Sequence, residues 1–103
     1  MSWHAVAAAL CALIAVVHAL FLVLEMFFWN RPLGRRTFGL TREFAEQSRA
    51  LAANQGLYNG FLAAGLVCGL LHPDPAVAAF LKIFFLICVF VAGVFGGFTA
   101  KGN

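Results

Sequence analysis

The sequence predicts an all-α integral membrane protein, a helical bundle formed by a single domain over residues 1–103 with three spans in this chain. Three observations predict it. Apolar residues make up 63% of the 103 positions and charged residues only 11%, for a mean hydropathy of +0.92. The apolar residues gather into three long runs, and five of the seven basic residues, Arg31, Arg35, Arg36, Arg42 and Arg49, fall into one stretch between the first two runs. Soluble domains carry about 25% charged residues, so this composition excludes a disordered chain, a nucleic-acid arm and an ordinary cytosolic enzyme.

The first run, about residues 3–29, contains one charge, Glu25. As a helix it is about 40 Å long, enough to cross a hydrocarbon core of about 30 Å with some tilt. A cleaved signal would need a basic start and an apolar run of only about 7–15 residues, and neither is present. Trp3 at one end and Phe27, Phe28 and Trp29 at the other match interfacial aromatic belts. Asn30 and Pro32 are expected to stop this helix, with residues 30–49 forming a polar loop and the start of the next helix.

Thr41 reads as an N-cap with Glu43 in the first turn, so a second helix is expected from Arg42 to about Leu71. Its apolar part spans about residues 50–72. The His72-Pro-Asp-Pro75 sequence ends it, and Asp74 followed by Pro75 is a good N-cap and N1 pair for a third helix, spanning about residues 76–99. The arginine cluster places the first loop and Lys101 in the cytoplasm and the amino terminus outside.

His4, Cys11, His18 and Glu25 recur every seven residues and form one polar stripe along the first helix. His18 sits mid-membrane and Glu25 near the inner interface. Ionisable groups there are costly and are normally paired. The second helix offers partners at the depth of Glu25: Asn54, Gln55, Tyr58 and Asn59 form a wide polar wedge. Buried amides need hydrogen bonds, from one another and Glu25 or from a ligand's polar head. His18, Glu25, Asn54, Gln55, Tyr58 and Asn59 are therefore the candidate ligand-binding residues, and Glu25 is the candidate acid or base if the protein is an enzyme.

Gly56, Gly60, Ala64 and Cys68, with Gly65 and Gly69 one position over, form small-residue rows on the second helix. Ala92, Gly93, Gly96 and Gly97 do so on the third. Such rows let helix backbones approach closely. His18 and Glu25 lie about 10 Å apart along the axis, too far to chelate one ion, and His4, His72 and Asp74 gather only near the outer surface, so no metal site is expected. Cys11, Cys68 and Cys88 lie inside apolar runs and read as small hydrophobes. No hydrolytic triad, phosphate loop or cofactor motif is present in the residue pattern.

The strings EMFFW at 25–29, FGL at 38–40, ANQGLYNGFL at 53–62 and AGVFG at 92–96 resemble a bacterial membrane family, domain of unknown function 1304, over nearly the whole chain. The resemblance implies a small helical inner-membrane protein of the wider DoxX-like group, without an assigned activity. It also implies a fourth hydrophobic helix, so that either this chain stops before it or a partner supplies that side of the bundle. The stretch from Arg49 to Asn59 more distantly resembles the arginine-asparagine motif of the membrane-associated eicosanoid and glutathione metabolism proteins. It lacks the glutamate that follows the asparagine there, and no glutathione chemistry is carried over.

The combined expectation is a membrane protein that binds a small amphipathic or lipid-like molecule at a polar site between the first two helices. The alternatives are a membrane enzyme or redox accessory using Glu25, and a structural subunit. The expected partners are the lipid bilayer and a second copy or another membrane subunit, with no nucleic acid; the cofactor is left open.

Overall fold

Between Ser2 and Phe28 the chain has neither proline nor glycine, and the Ser2 hydroxyl accepts a hydrogen bond from the Ala5 amide at 3.1 Å. A capped, uninterrupted run of this kind makes a helix. The computed structural model describes residues 2–101 and has helix α1 at Trp3–Phe27, α2 at Pro32–Phe38, α3 at Arg42–Leu71 and α4 at Pro75–Lys101. The architecture is all-α, with no strand among the described residues.

Two local expectations need correction. The first helix ends at Phe27 rather than Trp29, because side-chain bonds hold the next residues elsewhere. Trp29 Nε1 donates to Ser48 Oγ at 2.9 Å, its ring packs on Phe38 at 5.1 Å between centroids, and Asn30 Nδ2 donates to Glu46 Oε1 at 2.7 Å. The second correction concerns residues 30–49, expected to hold only a loop and the start of the next helix. They contain α2, which begins with Pro32 in its first turn and ends at Gly39 in the left-handed conformation, φ 67°. Gly34 makes that docking possible, since a Cβ there would collide with the Phe28 carbonyl oxygen. Arg35 Nη1 closes the corner by donating to the Asn30 carbonyl at 2.6 Å.

Helix α3 starts as its sequence predicts, with the Thr41 hydroxyl accepting from the Phe44 amide at 3.1 Å. It ends at His72, whose extended backbone suits a residue before proline. Asp74 Oδ1 then accepts from the amides of Ala76 at 2.9 Å and Val77 at 3.4 Å, capping α4.

Helix α3 is central. Helix α1 packs along it most extensively and α4 packs against it elsewhere, while α1 and α4 barely touch. The seams are made of small residues: Cys11 and Ala15 from α1, and Ala45, Ala52 and Ala63 from α3, with Leu66 the largest fully buried side chain. Gly65 lies under the Phe85 ring and Gly69 under Lys82 and Leu81, which lets α4 approach the α3 backbone.

The large apolar side chains face outward. Leu13, Leu20, Phe80, Phe84, Phe90 and Phe98 are all more than half exposed or at that level. Trp3–Phe27 and Pro75–Thr99 are long and apolar enough to cross a membrane: an 18-residue window in each has a mean hydropathy of 2.7, and only 11% and 6% of those windows are buried. Low burial distinguishes them from core helices of a water-soluble fold. Helix α3 is as long as the others, but Asn54, Gln55 and Asn59 lower its apolar character, and it does not join those two.

Candidate functional site

The seven-residue stripe of α1 turns toward α3 over most of its length. Cys11 and Glu25 are buried, His18 is half-buried and His4 is exposed near the amino terminus. Glu25 is 4% exposed and is the one charged residue buried among those described. Its carboxylate is held from both sides: Gln55 Nε2 donates to Oε2 at 2.9 Å, and Asn59 Nδ2 donates to Oε1 at 2.6 Å.

Gln55 and Asn59 are four residues apart, so one face of α3 presents both. The backbone between them is as important as the amides. A Cβ on Gly56 would stand 2.8 Å from Met26 Cγ, 3.0 Å from Glu25 Cβ and 3.2 Å from the Leu22 carbonyl oxygen. Gly56 therefore seats Glu25 against α3. Gly60 does the same for Leu22 one turn on, where a Cβ would collide with Leu22 Cδ1. The sequence marks these glycines as a packing row, and the structure adds that they bring the carboxylate within reach of its two donors.

Beside this cluster, between α1, α3 and α4, lies a half-open cavity of about 710 Å³. Helix α1 contributes His18, Phe21 and Glu25 to it, and α3 contributes Gln55, Tyr58, Asn59 and Leu62. Phe38 of α2 closes one end. The far wall is α4, from Val89 to Thr99. Five of the six candidate ligand-binding residues thus meet around one space.

Asn54 does not. It is exposed, and its Nδ2 donates to the Ala50 carbonyl of its own helix at 3.0 Å. One position away from Gln55 is about 100° around a helix, so α3 cannot direct both side chains to Glu25. Phe38 and residues of α4 also line this space, and the sequence reading does not include them. No spacing in the sequence signals Phe38, which reaches the cavity only because the stretch after Pro32 folds into α2.

His18 Nδ1 lies 2.8 Å from the Ile14 carbonyl oxygen. A carbonyl only accepts, so Nδ1 carries the proton of that bond, and in the neutral ring Nε2 is the remaining acceptor. The imidazole meets the Phe21 ring edge-on at 5.9 Å. Thr99 Oγ1 donates back to the carbonyls of Phe95 at 3.0 Å and Gly96 at 3.2 Å. At the other end of the molecule, His72 Nδ1 accepts from the Asp74 amide at 3.0 Å. Among the described residues, no three His, Cys, Asp or Glu side chains gather as metal ligands. The three cysteines are free.

No curated protein and no solved structure matches this chain. Residues 12–103, which include the whole cluster around Glu25, match the family model described as "Protein of unknown function (DUF1304)". The chain belongs to that family.

Proposed function

We propose that this chain is a three-span integral membrane protein that binds the polar end of a small amphipathic or lipid-like molecule in the cavity between α1, α3 and α4. The observation that carries this reading is the buried Glu25 carboxylate, oriented by Gln55 and Asn59 at the edge of a cavity of about 710 Å³. That volume falls within the range of about 300–1,000 Å³ usual for small-molecule sites. An ionisable group held at membrane depth is costly, and its presence there points to a functional use.

Helix α3 crosses with α1 and α4 in this reading, because it lies between them and spans about 45 Å at its 30 residues. Its amides do not prevent this, since Gln55 and Asn59 turn inward to Glu25 and Asn54 bonds its own helix. The arginine-rich corner then faces the cytoplasm and the amino terminus lies outside an inner membrane.

The experiment compares wild type with Glu25→Gln, both extracted with their native lipids and examined by native mass spectrometry. Wild type is expected to retain a bound small molecule and the variant to lose it. Equal occupancy in both would show that Glu25 takes no part in binding.

A second reading, association in the membrane with another copy or a partner subunit, rests on a different observation. A Cβ added at Gly97, which does not line the cavity, would meet nothing within 4 Å, so the small-residue row of α4 has no partner there among the described residues. Rows of this kind usually pack against a helix.

A further inference from the structure

We propose that the cavity beside Glu25 selects a lipophilic organic cation, an apolar chain ending in an ammonium group; this rests on the reading of the cavity as an amphiphile site. The inference comes from which ends of the polar groups face the ligand space. The carboxylate only accepts, so Gln55 and Asn59 turn their NH₂ ends to it. Each keeps its carbonyl oxygen and one further N–H for a ligand. His18 uses Nδ1 on the Ile14 carbonyl, and Thr99 uses its hydroxyl proton on its own helix. What remains along the lining is mostly acceptors around one acidic group, the donors being the Tyr58 hydroxyl and the second N–H of each amide.

The lining contains no Lys or Arg. A carboxylate, phosphate or sulfate head would meet a like charge with no cation to offset it, and a few neutral donors do not replace that cation. A neutral hydroxyl head would satisfy one acceptor and leave the carboxylate without a counter-charge. An ammonium head supplies the missing positive charge where the surroundings are poorest in solvent, and a charge pair gains most there. Each carboxylate oxygen accepts one amide bond and keeps a further lone pair for it.

The rest of the wall fits the same ligand class. Phe21, Phe38, Tyr58 and Phe95 line the cavity, and aromatic faces attract cations whether or not these carry N–H groups. The chain has a separate place to lie. Leu62, Val89 and Ala92 make an apolar wall along which a tail can lie.

The test uses four single-chain probes of equal length: dodecylamine, dodecyltrimethylammonium, dodecanol and dodecanoate. Binding to the purified full chain is titrated by native mass spectrometry in a neutral detergent. Both ammonium probes are expected to bind about tenfold or more tightly than dodecanol, equivalent to about 1.4 kcal/mol, with dodecanoate weakest. In Glu25→Gln their advantage over dodecanol should vanish, and the wild-type ranking stands as evidence even if that variant folds poorly. Dodecanol or dodecanoate binding as tightly as the ammonium probes overturns cation selection and leaves the amphiphile site in place. An ammonium preference that survives in Glu25→Gln also overturns the assignment. Binding of none of the four removes both the selectivity and the site.

Discussion

Asn59 Nδ2 meets Glu25 Oε1 at 2.6 Å across 34 positions of the chain. With the Gln55 bond to the other oxygen, it locks α3 against α1 at one rotation and one height. Two donors from successive turns of α3 cannot both reach one carboxylate if either helix slides by a turn, about 5.4 Å. The cluster is thus a register pin as well as the polar end of a cavity.

Replacing Glu25 therefore separates shape from hydrogen bonding. Glu25→Leu leaves the Gln55 and Asn59 amides without their acceptor and is expected to destabilise the fold by about 1–3 kcal/mol. Glu25→Gln retains one acceptor oxygen at the same position and should cost about 1 kcal/mol or less. Thermal unfolding in a mild detergent measures both. Equal melting temperatures for the two variants would contradict the pinning role.

The glycines divide by what a methyl group would strike. At Gly34 the obstacle is the Phe28 backbone, and at Gly56 it includes Glu25 Cβ and the Leu22 carbonyl, none of which swings away. At Gly60 the obstacle is the tip of Leu22, a flexible end. Alanine is expected to cost more at positions 34 and 56, about 1–3 kcal/mol, than at 60. Gly97→Leu meets open space and should leave unfolding unchanged while weakening crosslinking between chains in native membranes. Crosslinking at the wild-type level would exclude this row as a contact.

Topology is tested by single cysteines at Thr37 and Asp74 after Cys11, Cys68 and Cys88 are replaced by alanine. An impermeant thiol reagent outside sealed cells is expected to label position 74 and leave position 37 untouched until the membrane is opened. Labelling of both positions from outside would be incompatible with α3 crossing between them, and the reverse pattern would invert the orientation.

Much of the secondary structure follows from local chemistry. Ser2, Thr41 and Asp74 accept from the first turns of their helices, and His72-Pro-Asp-Pro75 separates α3 from α4. Each signal acts over three or four residues and can be read without knowing the fold. The partnership of Glu25 with Gln55 and Asn59 was also legible, because a buried carboxylate and amides at the same depth have few alternatives to one another.

Which of the four wedge residues would face that carboxylate was decided by rotation. The wedge from Asn54 to Asn59 covers a wide arc of α3, and only packing on α1 through Gly56 and Gly60 selects Gln55 and Asn59 over Asn54. The corner at Trp29 and the short α2 depend likewise on contacts with Ser48, Glu46 and Phe38 that are distant or unpatterned in the chain. Residue pattern and local capping set the apolar helices, most of their ends and the identity of the buried acid. The tertiary structure decided how far α1 extends, which amides hold Glu25 and where the cavity opens, because those follow from how close two backbones approach, and local propensity does not encode that distance.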